Sequence, residues 1–551
     1  MTNCVRAMAW LAVLVAVTPA FALTPIHLWS RGFGDIYYDE FYDVAVDGMG
    51  NVLLVGFFSQ TVDFGGGPLV SAGSFDIFVA KYSASGVHQW SKRFGSGTFD
   101  SANRVAVDNV GNVFVTGYFR GTVDFGGGPL VCAGLDDAFL LKLSPAGVYQ
   151  WAKRFGATGY DEAGPVAVDG SGNVVVSGGF NGIVNFGGGP LVSVGGFDGF
   201  LARYDASGVH LWSKRFGNAS DNGGLNIAVD VTGNVSGAGG FSGSVDYGGG
   251  NFVSAGGVDV VVARYDANGV HQWSQRFGST LFDSAYEVAM DAAGNVATAG
   301  VFEGVVNFGA GGLTSAGGRD IFLARYDAMG APLWSGSYGG AGNDEAYGMA
   351  ADASGEMVVV GLFSQTVNFG GGALVSAGGS DAFIARFTPN GAGMWSNRFG
   401  DAAFQLFSGV ALDAAGDAFV AGTFEGTMNL GGGDLTSAGD VDGVLAKFGD
   451  LPSGVEDTPR AGLSLSVYPN PFNPGTTVRY TIPARGRTTV VVYDARGARL
   501  ATLVDEEQEA GTYSTVWNGR DDAGREMSSG VYFARVSHPS GSYTQKSVFL
   551  K

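Results

Sequence analysis

The chain has 551 residues and a formal charge of −20, with 94 glycines and only 15% charged residues. That acidic balance argues against nucleic acid and anionic membrane surfaces as partners. Of the two cysteines, Cys4 lies in an apparent leader, so Cys132 stands alone and no disulfide framework can form in the mature chain.

Residues 1–22 read as a secretory signal. Arg6 supplies the positive start, MAWLAVLVAV the apolar run, and Ala20-Phe21-Ala22 the small-x-small cleavage pattern. The run is too short to span a bilayer comfortably, and no other stretch is a transmembrane candidate.

From 23 to 450 the chain repeats. Trp29, Trp90, Trp151, Trp212, Trp273, Trp334 and Trp395 are spaced 61 residues apart without a slip. The same step carries Asp47 to Asp413, Phe58 to Phe424 and Asp76 to Asp442, so one unit is copied seven times. In the first complete unit, YDVAVD and NVLLVGFF flank a Gly48–Gly50 turn and read as a hairpin. Asp47 suits the hairpin's start because its carboxylate can accept N–H bonds from the turn. A glycine-rich connection, TVDFGGGPLVSAG, follows. DIFVAKY, a turn at SASG and VHQWSKRFG complete the unit.

Four strands per unit and no helical periodicity predict an all-β fold. The ends of the array are permuted. HLWSRGFG opens the region as a lone tryptophan strand, and the last unit stops after VLAKFGD without one. The reading is a seven-bladed β-propeller closed by its N-terminal strand, since a solenoid would want atypical capping units instead.

The D-x-x-G-N-V-x-x-x-G pattern (Asp47 to Gly56), FDIFVAKYSASG and the tryptophan strand resemble the bacterial β-propeller repeats called SBBP repeats. The resemblance implies a propeller of extracellular or envelope proteins and carries no catalytic set.

The recurrent tryptophans read as packing between neighbouring blades, each fully buried ring contributing about 2–3 kcal/mol. The Asp76 series reads as structural, with Arg93, Arg154, Arg215, Arg276 and Arg398 as ion-pair partners; Gly32 and Ser337 break that series. His27, His88, His210 and His271 lie in separate units and cannot converge on a metal. FGGG lacks the Lys-Ser or Lys-Thr of a phosphate loop.

The link from each tryptophan strand to the next unit varies most, and variable loops on a repeated scaffold are where binding usually sits. These loops carry Asp39, Asp100, Asp161, Asp283 and Asp344, with Glu40, Glu162 and Glu345. Tyr37, Tyr38, Phe99, Tyr160 and Phe282 lie beside them. Rings that stack and carboxylates that accept hydroxyl bonds suit a glycan, and a carboxylate ring near the axis could hold calcium. The plainer reading is loop-closing rings and solvated charge. No Ser-His-Asp, Cys-His or zinc-ligand spacing stands out. Seven near-equivalent units also provide little of the asymmetry that catalysis needs.

Residues 451–462 read as an extended linker with two prolines. In 463–551 the period stops, and LSLSVYP, TTVRYTIP, TTVVVYDA, RLATLVD, TYSTVWN, GVYFARVS and SYTQKSVFL read as an immunoglobulin-like β-sandwich. YPNPFNPGTTVRYTI, VYDARG, SSGVYFARV and the terminal KSVFLK resemble the C-terminal sorting domain of type IX secretion cargo. The WNGRDDAGREMSSGVY stretch also resembles the immunoglobulin-like domain of flagellar hook-capping proteins. By that resemblance Tyr468, Pro469, Asn470, Pro471, Gly530, Val531, Tyr532 and Lys551 carry the sorting motif, and the secretion machinery is a partner. The expectation is a monomeric secreted or surface-displayed binding protein of a Gram-negative envelope, taking a glycan or protein on its loop face. A polysaccharide hydrolase or lyase and a purely structural envelope protein are the alternatives.

Overall fold

The computed structural model describes residues 25–220, 222–449, 464–468, 470, 472–494, 499–538 and 541–549. The leader, the 451–462 linker, Pro469, Pro471 and Lys551 lie outside them. Among the described residues all regular structure is strand.

In the first unit Glu40–Val46, Val52–Phe58, Asp76–Tyr82 and His88–Phe94 pair antiparallel, in that order. VLLVGFF and DIFVAKY are apolar almost throughout rather than alternating, because both of their faces are covered, and every residue in them is buried. Seven such sheets are described.

The unit holds more than the four strands expected. In every unit the glycine-rich connection is itself a hairpin, as Thr61–Asp63 pairs with Pro68–Val70. Asp63 Oδ1 accepts the N–H groups of Gly65 at 2.7 Å and Gly67 at 3.0 Å. Both glycines hold φ near +100°, which costs a residue without a Cβ little. The turn drops Phe64 into the core, stacked on Phe78 at 4.4 Å. Gly65 and Gly66 pack beside the His88 side chain, at the outer strand, whereas Gly67 lies in open space.

Between successive sheets lie seven hydrophobic cores. One of them joins the last unit to the first, through Phe419, Ala421 and Leu445 against Phe41, Leu54 and Phe78. In that last sheet the outermost strand is Ile26–Phe33, paired antiparallel with Asp442–Gly449.

Each tryptophan spans two sheets. The Trp29 indole N–H donates to Ala84 O at 3.0 Å, and Trp90, Trp212, Trp273 and Trp334 do the same 55 residues on. The Trp29 ring lies on Gly86, where a Cβ would come within 2.9 Å of it. Every described tryptophan of the series except Trp395 stays partly exposed, so each contributes less than full burial would.

The arginines of the tryptophan strands pair as expected. Arg93, Arg154, Arg215, Arg276 and Arg398 reach Asp76, Asp137, Asp198, Asp259 and Asp381.

A second cation series escaped the sequence reading. Lys81, Lys142, Arg203, Arg264, Arg325, Arg386 and Lys447 share one place in the unit, and all are buried. Lys81 Nζ is 2.8 Å from Asp47, whose Oδ1 accepts the N–H groups of Met49 and Asn51.

The C-terminal region forms two sheets. Ser464–Tyr468, Thr476–Ile482 and Gly511–Trp517 make one; Arg499–Gln508, Gly486–Asp494, Gly530–His538 and Gly541–Phe549 make the other. Val478, Tyr480 and Ile482 point into the core while Arg479 faces out, the alternation of a half-buried strand.

Candidate functional site

The variable links meet the ends of the third strands on one face, where Phe75 bridges Phe99 and Asp136 bridges Tyr160. The five candidate aspartates of that face are at most 1% exposed. Asp100 shows why. One oxygen accepts Ser96 N–H at 2.6 Å in its own link, and the other accepts Arg120 N–H at 2.9 Å in the turn after the second strand. Asp39 does this for Asp35 and Ser59, and Asp161 for Ala157 and Asn181. Asp283 holds Ser279 and Glu303, and Asp344 holds Gly340 and Ser364.

Asp39, Asp100, Asp161, Asp283 and Asp344 are therefore loop clamps. They are not solvated charge: each lies out of solvent with both oxygens accepting backbone N–H groups. Asn222 takes the same place in the fourth unit and accepts Ser242 N–H at 3.1 Å, so the clamp works without a charge. Burial pushes Asp39 and Asp344 up to about 7 and Asp161 to about 6, against the backbone bonds that favour the anion.

Asp100→Ala is accordingly expected to destabilise the fold by about 2–3 kcal/mol, by orphaning buried donors. Asp100→Asn should recover most of that loss, as Asn222 does in its own unit. Chemical denaturation of the three proteins decides it, and equal loss in both variants would refute the clamp.

What faces outward are the neighbours of each clamp. Tyr38 is 38% and Tyr160 49% exposed, and Phe99 and Phe282 are half-buried. Tyr38 stacks on Phe57 at 6.1 Å, Phe57 meets Phe99 at 5.2 Å, and Phe99 stacks on Tyr118 at 5.8 Å. The Arg120 guanidinium lies 6.0 Å from the Phe99 centroid and pairs with Asp136. Tyr38 Oη donates to Glu40 at 2.5 Å, and burial and that carboxylate both hold the phenol protonated.

A second cluster stands on the fifth and sixth units. Tyr286 stacks on Tyr347 at 5.7 Å, and Tyr347 Oη donates to Glu345 at 2.5 Å. Arg319 lies 4.3 Å over Phe282 and reaches Glu303 at 3.2 Å. Between the two clusters the place of Phe57 and Tyr118 is taken by Gly179 and Gly240. The face is thus asymmetric although the scaffold repeats.

Among the described residues no carboxylate ring forms where the seven units meet. A cavity of about 160 Å³ takes one series from all seven units, Asp43, Arg104, Pro165, Asn226, Glu287, Gly348 and Gly409. Arg104 crosses it to Glu287 at 3.3 Å, and burial raises Glu287 to about 8. Among the described residues no group of three or more His, Cys, Asp or Glu could hold a metal ion.

In the C-terminal region Tyr468 is 80% exposed, whereas Tyr532 is core, packed on Trp517 at 5.0 Å and donating to Ser528 O. Gly530 and Val531 open its strand and are half-buried. No helix among the described residues is long and apolar enough to cross a membrane.

Residues 89–118 match the SBBP beta-propeller repeat, and residues 475–542 match the FlgD Ig-like domain. An uncharacterized WD repeat-containing protein of Acanthamoeba polyphaga mimivirus is 22% identical over 77% of this chain and 38% of its own length. The regulatory protein FlaEY of Caulobacter vibrioides is 27% identical over 28% of this chain and 17% of its own. The chain thus spans well under half the length of these curated relatives. Among solved structures, PorZ, a surface component of the type-IX secretion system of Porphyromonas gingivalis, is 14% identical, with 94% of this chain and 75% of PorZ covered and a TM-score of 0.24. A puromycin hydrolase is 12% identical, with 80% and 58% covered and a TM-score of 0.34. At TM-scores of this size neither likeness bears on activity or partners. The chain thus contains a segment, 89–118, that matches the SBBP beta-propeller repeat and lies in the 61-residue series, and a second segment, 475–542, that matches the FlgD Ig-like domain.

Proposed function

We propose that this is a secreted or surface-displayed, non-enzymatic propeller that binds a glycan on its loop face and is exported through its C-terminal domain. One observation carries the binding reading. The rings and charges around Phe99 and Phe282 differ from unit to unit, while the clamps beneath them repeat. A scaffold that keeps its supports and varies its surface is arranged for recognition. Flat rings stack on sugar faces, and Glu40, Glu162 and Glu345 offer acceptors for hydroxyl groups.

A glycan array probed with the full chain, with and without calcium, tests this. A specific hit that is lost in Phe99→Ala with the fold intact is expected. A blank array, or a hit insensitive to every loop-face substitution, would favour a structural envelope protein. Turnover of a bound polysaccharide would instead favour the hydrolase or lyase reading.

The export reading rests on the resemblance of Tyr468 to Ile482 and Ser528 to Val536 to a sorting domain, together with the leader. Removing residues 461–551 is expected to leave the protein in the periplasm, checked by protease accessibility on whole cells. Undiminished surface display of the truncated chain would overturn it.

A further inference from the structure

We propose that the cleft between the first and last sheets, with the row of rings leading out of it, seats an oligosaccharide that bears free amino groups. The inference rests on the glycan-binding reading and narrows it to one chemical class.

The cleft encloses about 490 Å³ on the loop face, and Tyr38, Glu425 and Asp440 are its ring and its acids. Tyr38 forms one wall with its ring partly open to solvent. From it a row of rings runs across the first two sheets through Phe57 and Phe99 to Tyr118, in steps of 6.1, 5.2 and 5.8 Å. Phe57 is buried beneath this row, so the rings open to solvent are Tyr38, Phe99 and Tyr118, and rings exposed at intervals beside a cleft suit a chain of sugar rings better than a single small molecule.

Charge then selects the class. Among the described residues neither Glu425 nor Asp440 has an ion-pair partner, and no lysine or arginine lines the cleft. Among the described residues, Glu40, next to Tyr38, is met by the phenol hydroxyls of Tyr38 and Tyr42. Arg120, the cation of this half of the face, lies at the far end of the row and is held by Asp136. Carboxylates without a counter-ion beside an aromatic face attract an ammonium group, both by charge and by the ring's negative face. The same field disfavours uronic acids. A neutral sugar would leave the carboxylates without a counter-ion, whereas a glucosamine unit supplies one.

The test is calorimetric titration of the full chain with glucosamine oligomers, with N-acetylglucosamine oligomers of equal length, and with oligolysine. Glucosamine oligomers are expected to bind at least about tenfold tighter than the acetylated ones, and to weaken with salt. The double variant Glu425→Gln, Asp440→Asn should lose that preference while binding acetylated oligomers as before. Tyr38→Ala should weaken both. Both changed acids lie on the surface, and circular dichroism checks that the fold is kept. Equal affinity for the two sugars would overturn the amino-sugar inference and leave the glycan reading standing. Oligolysine binding with no sugar binding would overturn both in favour of a basic peptide. Silence of all three ligands together with a blank glycan array would also overturn both.

Discussion

A chain lacking residues 23–34 is expected to lose cooperative folding of the whole repeat region, not only of its last sheet. The strand Ile26–Phe33 is the outer strand of a sheet whose other three strands come from the far end of the repeats. Its removal bares the edge of Asp442–Gly449, a strand whose eight residues are all buried. Phe33 would leave a cluster with Phe41, Phe64 and Tyr82. Trp29 would leave Gly86, and Arg31 would leave Gly86 O, both across the seam in the first unit. Losing one edge strand together with Phe33 and Trp29 from the core between the two sheets approaches the whole net stability of an ordinary domain, on the order of 5–15 kcal/mol. A linear array would lose only a terminal increment, since each of its repeats leans on its neighbours alone. Thermal unfolding of the deletion variant, beside one trimmed in the 451–462 linker, separates the two. Equal midpoints would show that the strand closes nothing.

Arg203→Ala should cost about 3–5 kcal/mol, among the largest losses any single side chain of the repeats can cause. The guanidinium is 3% exposed and pairs with Asp169 of its own unit. It also donates to Gly233 O at 2.6 Å and Ala267 O at 2.9 Å, in the turns of two hairpins of the next unit. Truncation leaves the Asp169 carboxylate buried without its cation and two carbonyls without donors. Arg203→Lys should keep most of the stability, because Lys81 and Lys142 fill the same place, and Lys142 reaches Ala206 O at 2.8 Å. Urea denaturation with an unchanged slope is the measurement. A midpoint for Arg203→Ala within error of the parent would refute the stitch.

The face was legible before the residues on it were. Asp100 and its counterparts stood out because acids recur in the variable links, yet a carboxylate in a loop serves a ligand or its own backbone equally well. Its burial depends on the turn after Phe119, twenty positions on, supplying Arg120 N–H. No local pattern records that approach. Alternation offered one signal that went unused. If Asp39 turns in, its neighbours Tyr38 and Glu40 turn out, and those are the residues on the surface. The Lys81-to-Lys447 series was equally open to view at the repeat's own step, but it mixes lysine and arginine inside apolar strands, where composition hides it.

By itself the sequence determined the repeat, its strands and the sandwich after it. Those follow from local preferences: apolar runs long enough to be covered, glycine and aspartate at turns, and alternation where one face is wet. It also determined the Asp76–Arg93 pairs, because both partners recur at one step in adjoining strands. The tertiary structure alone decided which loop acids are clamps, that the glycine-rich link is a hairpin, and that a cleft opens between the first and last sheets. A three-residue strand is too short to show a period. The cleft is made by Tyr38 and Asp440, about four hundred positions apart, and only the packing of the last sheet on the first brings them together.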